Sequence, residues 1–397
     1  MSGNQRTIRT ALLGLCIIAI LALAACATSG GNNGSDANHA GSTPTTSAQS
    51  TPTPGNADSN GNGNSSGGGN PTPVPLSQYY AYAGSADGVF YGFNADTGAE
   101  RWHYTIAGTP NKPFAVANGV YVSTQSGYVY AFSHTGSLQW SKSLSAGTLS
   151  RATMASGLVY IGTDQGHVIA LNSTTGDVAW DTAVGGSISG TIPVVDNVAY
   201  TSADGYLFAL NAATGLILWK SSIGAISEFT SPTVSNGVVY IGNDGGIVSA
   251  WHTSDGSAKW QFQAGGQIFG KPAVVNGVVY FGASDHYVYA VNTGDGSLKW
   301  RHQTGDSVND SPNVNNGIVY IASGDGHLYA LDANTGSEKW HFGVTNYTVT
   351  GSWTSVTSGR VYIGMSNGRF YSLDAGNGHI VWQTQTSGPV TSPAIGQ

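Results

Sequence analysis

Eight tryptophans, Trp102, Trp140, Trp180, Trp219, Trp260, Trp300, Trp340 and Trp382, recur at spacings of 38, 40, 39, 41, 40, 40 and 42 residues through the second part of the chain. A period near 40 residues admits few architectures, and the segments between the tryptophans decide among them. Ile318 to Trp340 reads IVYIASGDGHLYALDANTGSEKW. Ile318 to Ala322 is the short apolar run expected of a strand buried on both faces. Gly324-Asp325-Gly326 allows a tight turn, and His327 to Leu331 returns as a second strand. Asp332 can bond the next turn through its carboxylate, while Gly336 takes a left-handed position at no Cβ cost. Glu338 to Phe342 puts Trp340 and Phe342 on one face and Lys339 and His341 on the other, the pattern of a half-exposed outer strand. Three short strands cannot bury Trp340 alone, so each unit must stack on copies of itself. Eight such units predict an all-β, eight-bladed propeller of four-stranded antiparallel blades.

The fourth strand of each unit precedes the other three, as Ser311-Pro312-Asn313-Val314 precedes Asn316-Gly317. The Asn-Gly hairpin signal recurs as Asn118-Gly119, Asn236-Gly237 and Asn276-Gly277. The first unit begins abruptly at Tyr79 without that strand, and Ser392-Pro393-Ala394-Ile395 after Trp382 matches it. The carboxyl end is therefore expected to complete the first blade and close the ring, leaving no open sheet edge at the seam.

Ahead of the repeats, Arg6 and Arg9 precede a 15-residue apolar run, Ala11 to Ala25, followed by Cys26. That run is too short for a transmembrane helix, which needs about 20 residues, and Leu23-Ala24-Ala25-Cys26 resembles a bacterial lipobox. The resemblance implies a signal peptide over residues 1–25 and a lipid on Cys26, hence an extracytoplasmic protein anchored at a bacterial cell surface or in a periplasm. The only other cysteine, Cys16, would leave with the signal, so no disulfide and no thiol chemistry is expected. Residues 26–78 are rich in Gly, Ser, Thr, Pro and Asn without apolar periodicity, and read as a tether with a typical span of ~40 Å. Residues 79–397 form the propeller. Losing residues 1–25 moves the net charge from −7 to −9, because they hold two arginines and no acid. An acidic domain without a basic run is a poor partner for nucleic acid or anionic lipid headgroups, so membrane attachment falls to the lipid; the propeller is expected to be a monomer.

The repeats resemble a known pattern, the tryptophan-docking motif A-x-D-x-x-T-G-x-x-x-W of the pyrroloquinoline-quinone (PQQ) repeat propellers. Here it reads Ala330, Asp332, Thr335, Gly336 and Trp340; Ala170, Asn172, Thr175, Gly176 and Trp180; and Ala209, Asn211, Thr214, Gly215 and Trp219. Gly92 and Ser372 replace the alanine in the first and last units, and the unit ending at Trp140 is one residue short in its turn. The resemblance implies that all eight tryptophans dock blade on blade. Two branches of the family differ in function: quinoprotein dehydrogenases, which hold PQQ and calcium in the central cavity, and non-enzymatic propeller lipoproteins of the BamB type. This chain resembles the second more closely, since it lacks the vicinal cysteine pair and the longer insertions of the first. The resemblance thus implies a non-catalytic, membrane-anchored scaffold with a protein partner at the membrane surface and no cofactor. A PQQ-dependent dehydrogenase and a glycan or small-ligand binder are the alternatives.

Within a repeat protein the informative positions are those where one unit departs from its siblings. Counting six residues back from the inner-strand turn glycine, or its equivalent, selects Pro113, Arg151, Thr191, Ser231, Lys271, Ser311, Trp353 and Ser392, with Lys112, Glu228 and Asp310 just upstream. Lys112, Arg151, Glu228, Lys271, Asp310 and Trp353 are the candidate binding residues at the channel mouth, Trp353 as a stacking platform. Charged groups here either line a binding mouth or point to solvent at the rim. The ten histidines do not cluster by spacing, His167 and His327 recur as repeat chemistry, and no metal site or catalytic constellation is expected. His286 stands where siblings have glycine, which implies either a left-handed backbone there or a reshaped loop.

Overall fold

The eight units do fold as eight four-stranded antiparallel sheets arranged in a ring. The computed structural model describes residues 78–148, 150–226, 230–343, 354–357, 359–391 and 393–396, all within one compact unit, Pro52–Gln397. The signal segment, Cys26, the tether up to residue 77, Glu228, Trp353 and Ser392 lie outside the described residues. Blades are numbered here by the tryptophan each carries. Blade 7, for example, comprises Asn313–Asn315, Ile318–Ala322, His327–Asp332 and Glu338–Gly343, from the channel outward. Its two middle strands are largely buried, whereas in the outer strand Trp340 is buried between exposed neighbours. That is the burial expected of sheets stacked face to face with one free edge.

Every blade docks on the next by the same two contacts of its tryptophan, which a tyrosine of its own blade supports. The Nε1–H of Trp300 donates to the Ala333 carbonyl at 3.0 Å, the ring stacks on Gly336, and Tyr280 packs against it at 5.8 Å. A Cβ at Gly336 would lie 2.6 Å from the Trp300 ring, and the glycine sits at φ 73°, so the motif Thr-Gly is required on two separate grounds. All eight tryptophans donate in this way to a carbonyl of the following blade. The shortened turn of blade 2 still brings Gly136 beneath Trp102. The motif alanine lies directly opposite its own tryptophan, Ala330 across from Trp340, and a β-bulge follows at once. Only a small residue fits there: at Gly92, a Cβ would meet the Trp102 ring at 2.4 Å.

The seam uses the same chemistry. Ala394–Gly396 pairs with Tyr80–Gly84, Ala81 opposite Ile395, and a further bridge joins Ser85 to Val390. On the outer side Trp382 of blade 8 donates to the Ala95 carbonyl of blade 1 and stacks on Gly98. The expected closure is therefore present at both the inner and the outer radius.

Two features differ from the sequence reading. In blade 2 the inner hairpin turns at Ala117-Asn118, with Gly119 already in the strand opposite Val116, so Asn118-Gly119 is displaced by one residue from its siblings. A tyrosine 19 or 20 residues before each tryptophan (Tyr82, Tyr121, Tyr160, Tyr200, Tyr240, Tyr280, Tyr320, Tyr362) packs against that tryptophan at 5.7–6.0 Å. Burial pushes these phenols above their ordinary range. His286 adopts φ 72°, the left-handed alternative.

Candidate functional site

The inner strands start at the ring face that also carries the hairpins between the middle strands, because the chain reverses at every turn. Their register follows from the same tyrosines: Phe114 lies opposite Tyr121, Thr153 opposite Tyr160, Ala273 opposite Tyr280 and Asn313 opposite Tyr320. Two residues before these positions stand Lys112, Arg151, Lys271 and Ser311, with Thr191 and Ser231 from blades 4 and 5. Lys112, and not Pro113, thus occupies the ring level, a correction that follows from the displaced turn of blade 2.

Several hydroxyls of this inner wall tie blade to blade. The Thr191 N–H donates to Ser231 Oγ at 2.9 Å and the Lys271 N–H to Ser311 Oγ at 2.8 Å. Thr153 Oγ1 donates to the Ile192 carbonyl, and Ser355 Oγ to that of Pro393. Each tie satisfies a backbone group of a neighbouring blade where no sheet ladder continues.

Three of the charged candidates are buried and are not turned to solvent at the rim. Lys112 is 7% exposed, Arg151 8% and Asp310 5%, whereas Lys271 is half-buried. Lys112 reaches past blade 1, its Nζ 3.5 Å from the Thr354 carbonyl of blade 8. Asp310 accepts from the N–H groups of Ser311 and Ala322. Burial raises its pKa from 3.8 to about 7, against the opposing effect of those two hydrogen bonds and of the Lys112 charge. With its pKa above the unfolded value, the folded chain binds more protons than the unfolded chain between about pH 4 and pH 7. Stability from this group is therefore lost as pH rises through that window and is level above it. Relative to Asp310→Asn, the wild-type urea midpoint is expected to fall between pH 4 and pH 7; parallel pH profiles would show that Asp310 is not the titrating group.

Beside the mouth, between the links into blades 4 and 5, a cavity of about 200 Å³ is lined by Gly186, Ser187, Ser189, Ser202, Asp204, Ile226 and Thr230. The sequence reading did not find it, because its walls come from two links and a hairpin that no common motif marks. Calcium takes six to eight oxygen ligands, yet the carboxylate at the mouth, Asp310, spends both oxygens on backbone donors and feels the Lys112 charge. Asp310 is therefore a poor ligand for the calcium that accompanies PQQ in the dehydrogenase branch. Among the described residues, no group of three or more His, Cys, Asp or Glu side chains is arranged to hold a metal ion.

The profile of the family described as "Outer membrane protein assembly factor BamB" matches residues 42–202, 125–232, 203–310 and 288–396. No curated protein sequence matches the chain. Among solved structures, BamB from Moraxella catarrhalis is similar at 20% identity and TM-score 0.64, over 70% of this chain and 89% of that one. The computationally designed Ika8 protein is similar at 19% identity and TM-score 0.65, over 71% and 89%. The quinohemoprotein alcohol dehydrogenase ADHIIG from Pseudomonas putida HK5 is similar at 15% identity and TM-score 0.59, over 71% and 67%. At these identities the likeness to each structure is one of fold.

Proposed function

The chain belongs to the PQQ-repeat propeller family described as outer membrane protein assembly factor BamB, and from that premise we propose that it is a non-catalytic docking module for a membrane protein outside the cytoplasm. In this reading Cys26 carries the lipid and residues 26–78 hold the ring clear of the membrane. The observation that carries the proposal is how the inner wall is used. Ser231, Ser311, Thr153 and Ser355 tie blades together and Lys112, Arg151 and Asp310 are buried among them, so much of the wall's polar capacity goes into holding the ring. The same face also presents a surface, with half-buried Lys271 and the cavity that has exposed Asp204 at its edge. Loops of a partner fit such a surface, with opposite charges setting its orientation.

The test is crosslinking of the full-length protein in its native membranes followed by mass spectrometry. One recurrent membrane protein is expected with the wild type. Lys271→Glu combined with Asp204→Lys should lose that capture, and a melting curve like that of the wild type would show that the loss is not one of folding. Capture indifferent to these changes would place the docking surface elsewhere. Capture of nothing above background would remove the docking reading.

A further inference from the structure

Blade 7 carries a combination of three residues found in no sibling, at positions that the fold brings together. His327 opens the third strand, His341 follows the docking tryptophan, and Gly343 lies directly opposite His327. Where blade 7 has Gly343, the other blades carry Thr105, Ser143, Ala183, Ser222, Gln263, Gln303 and Gln385. The missing side chain makes room for an imidazole: a Cβ at Gly343 would lie 2.8 Å from Nε2 of His327 and 2.4 Å from its Cδ2. The Nε2 edge of His327 thus leans over the strand that carries His341. The two imidazole centroids are 5.1 Å apart, with the planes nearly perpendicular. Blade 3 has the matching His167, but there the second position is Asp181, which bonds His167 Nδ1 at 2.7 Å. Among the eight blades only blade 7 sets two imidazoles against each other at these positions.

Both rings are held from behind. Nδ1 of His341 lies 2.8 Å from Glu338 Oε1, and Nδ1 of His327 lies 3.2 Å from Asp325 Oδ1. A carboxylate of this kind only accepts, so each Nδ1 carries a proton, and in the neutral ring Nε2 is then the nitrogen with the free lone pair. A carboxylate behind an imidazole is the arrangement that orients a metal-ligating histidine and raises its basicity. Two rings sharing a tetrahedral ion through nitrogens about 2.0 Å from it have centroids roughly 5 Å apart, which matches the observed separation.

We infer that His327 and His341 of blade 7 bind a borderline divalent transition-metal ion through their Nε2 atoms, with Asp325 and Glu338 as the positioning carboxylates. Imidazole ligands suit Cu²⁺, Ni²⁺ and Zn²⁺, with Cu²⁺ bound most tightly. Two protein ligands leave the remaining positions to water, in keeping with the absence of any three-ligand group among the described residues. Both rings are partly open to solvent, with side chains 41% and 54% exposed, so an ion can reach them without opening the fold.

The experiment is titration of the chelator-stripped full-length chain with Cu²⁺, followed by calorimetry and by electron paramagnetic resonance, which counts bound nitrogens. His327→Tyr and His341→Gln place residues that sibling blades carry at the same positions, so the fold tolerates both. The wild type is expected to show a two-nitrogen site that either variant abolishes, with Cu²⁺ affinity falling at least about 10-fold. Gly343→Gln, again a sibling residue, should weaken binding by displacing the His327 ring, while His167→Tyr in blade 3 should leave it unchanged. Cu²⁺ uptake that is alike in wild type and both blade 7 variants would overturn the inference. So would an equal loss with His167→Tyr, or comparable uptake of Mg²⁺, which would mark general attraction to the acidic surface.

Discussion

Deleting residues 389–397 is expected to lower the melting temperature steeply and to cause aggregation. Val390 and Ile395 are buried to 1% and 7% exposure, and each contributes on the order of 1.5–3 kcal/mol by leaving water. The pair alone therefore accounts for ~3–6 kcal/mol, a large share of the ~5–15 kcal/mol by which folded domains are stable. The same cut strips the inner edge of Tyr80–Gly84, whose Tyr80, Ala81 and Tyr82 pair with the closing strand. An exposed strand edge then becomes a template for association with other chains. Thermal melts with light scattering test this, and an unchanged curve would mean that the terminal strand does not hold the ring closed.

Trp382→Ala is expected to cost ~3–5 kcal/mol, the range for truncating a buried aromatic side chain. Trp382 is the outer clasp of the seam, bonded to the Ala95 carbonyl at 3.0 Å with its ring on Gly98. Gly98→Ala attacks the same contact from the other side. The added Cβ would lie 2.5 Å from the ring, and the backbone there is left-handed, φ 71°. Overpacking of this kind costs ~1–3 kcal/mol. Because the two changes share one contact, their sum should exceed the loss in the double variant. Strict additivity in urea unfolding would show that the ring and the glycine do not support each other.

The docking tryptophans were legible because each pairs with a glycine of the next repeat, a relation written along the chain at constant spacing. The tyrosines beneath them carry an equally regular signal, 19 or 20 residues upstream, yet in one unit a tyrosine in an apolar run looks like any other strand residue. Lys112 was set one place off the ring level because counting from Gly119 assumes that every inner hairpin turns at the same residues. In blade 2 the hydrogen-bond register moves the turn to Ala117-Asn118. Only pairing, which is a property of two strands, could reveal that shift. Lys112, Arg151 and Asp310 were recognisable as departures from their siblings, whereas their burial was not, because it depends on how blades 2, 3, 7 and 8 converge on the axis.

The histidine pair shows the same division. His327 and His341 are 14 residues apart with no spacing that suggests a shared ligand, and a cross-strand register makes them neighbours over Gly343. By itself, then, the sequence determined the number of blades, the order of strands within each and the closure of the ring. These rest on alternation along one strand and on contacts between adjacent repeats, both of which a linear pattern records. The tertiary structure alone decided which side chains share the channel level, which charges leave water and which imidazoles meet. Those outcomes depend on register and on curvature, which add up over the whole ring and are written in no single repeat.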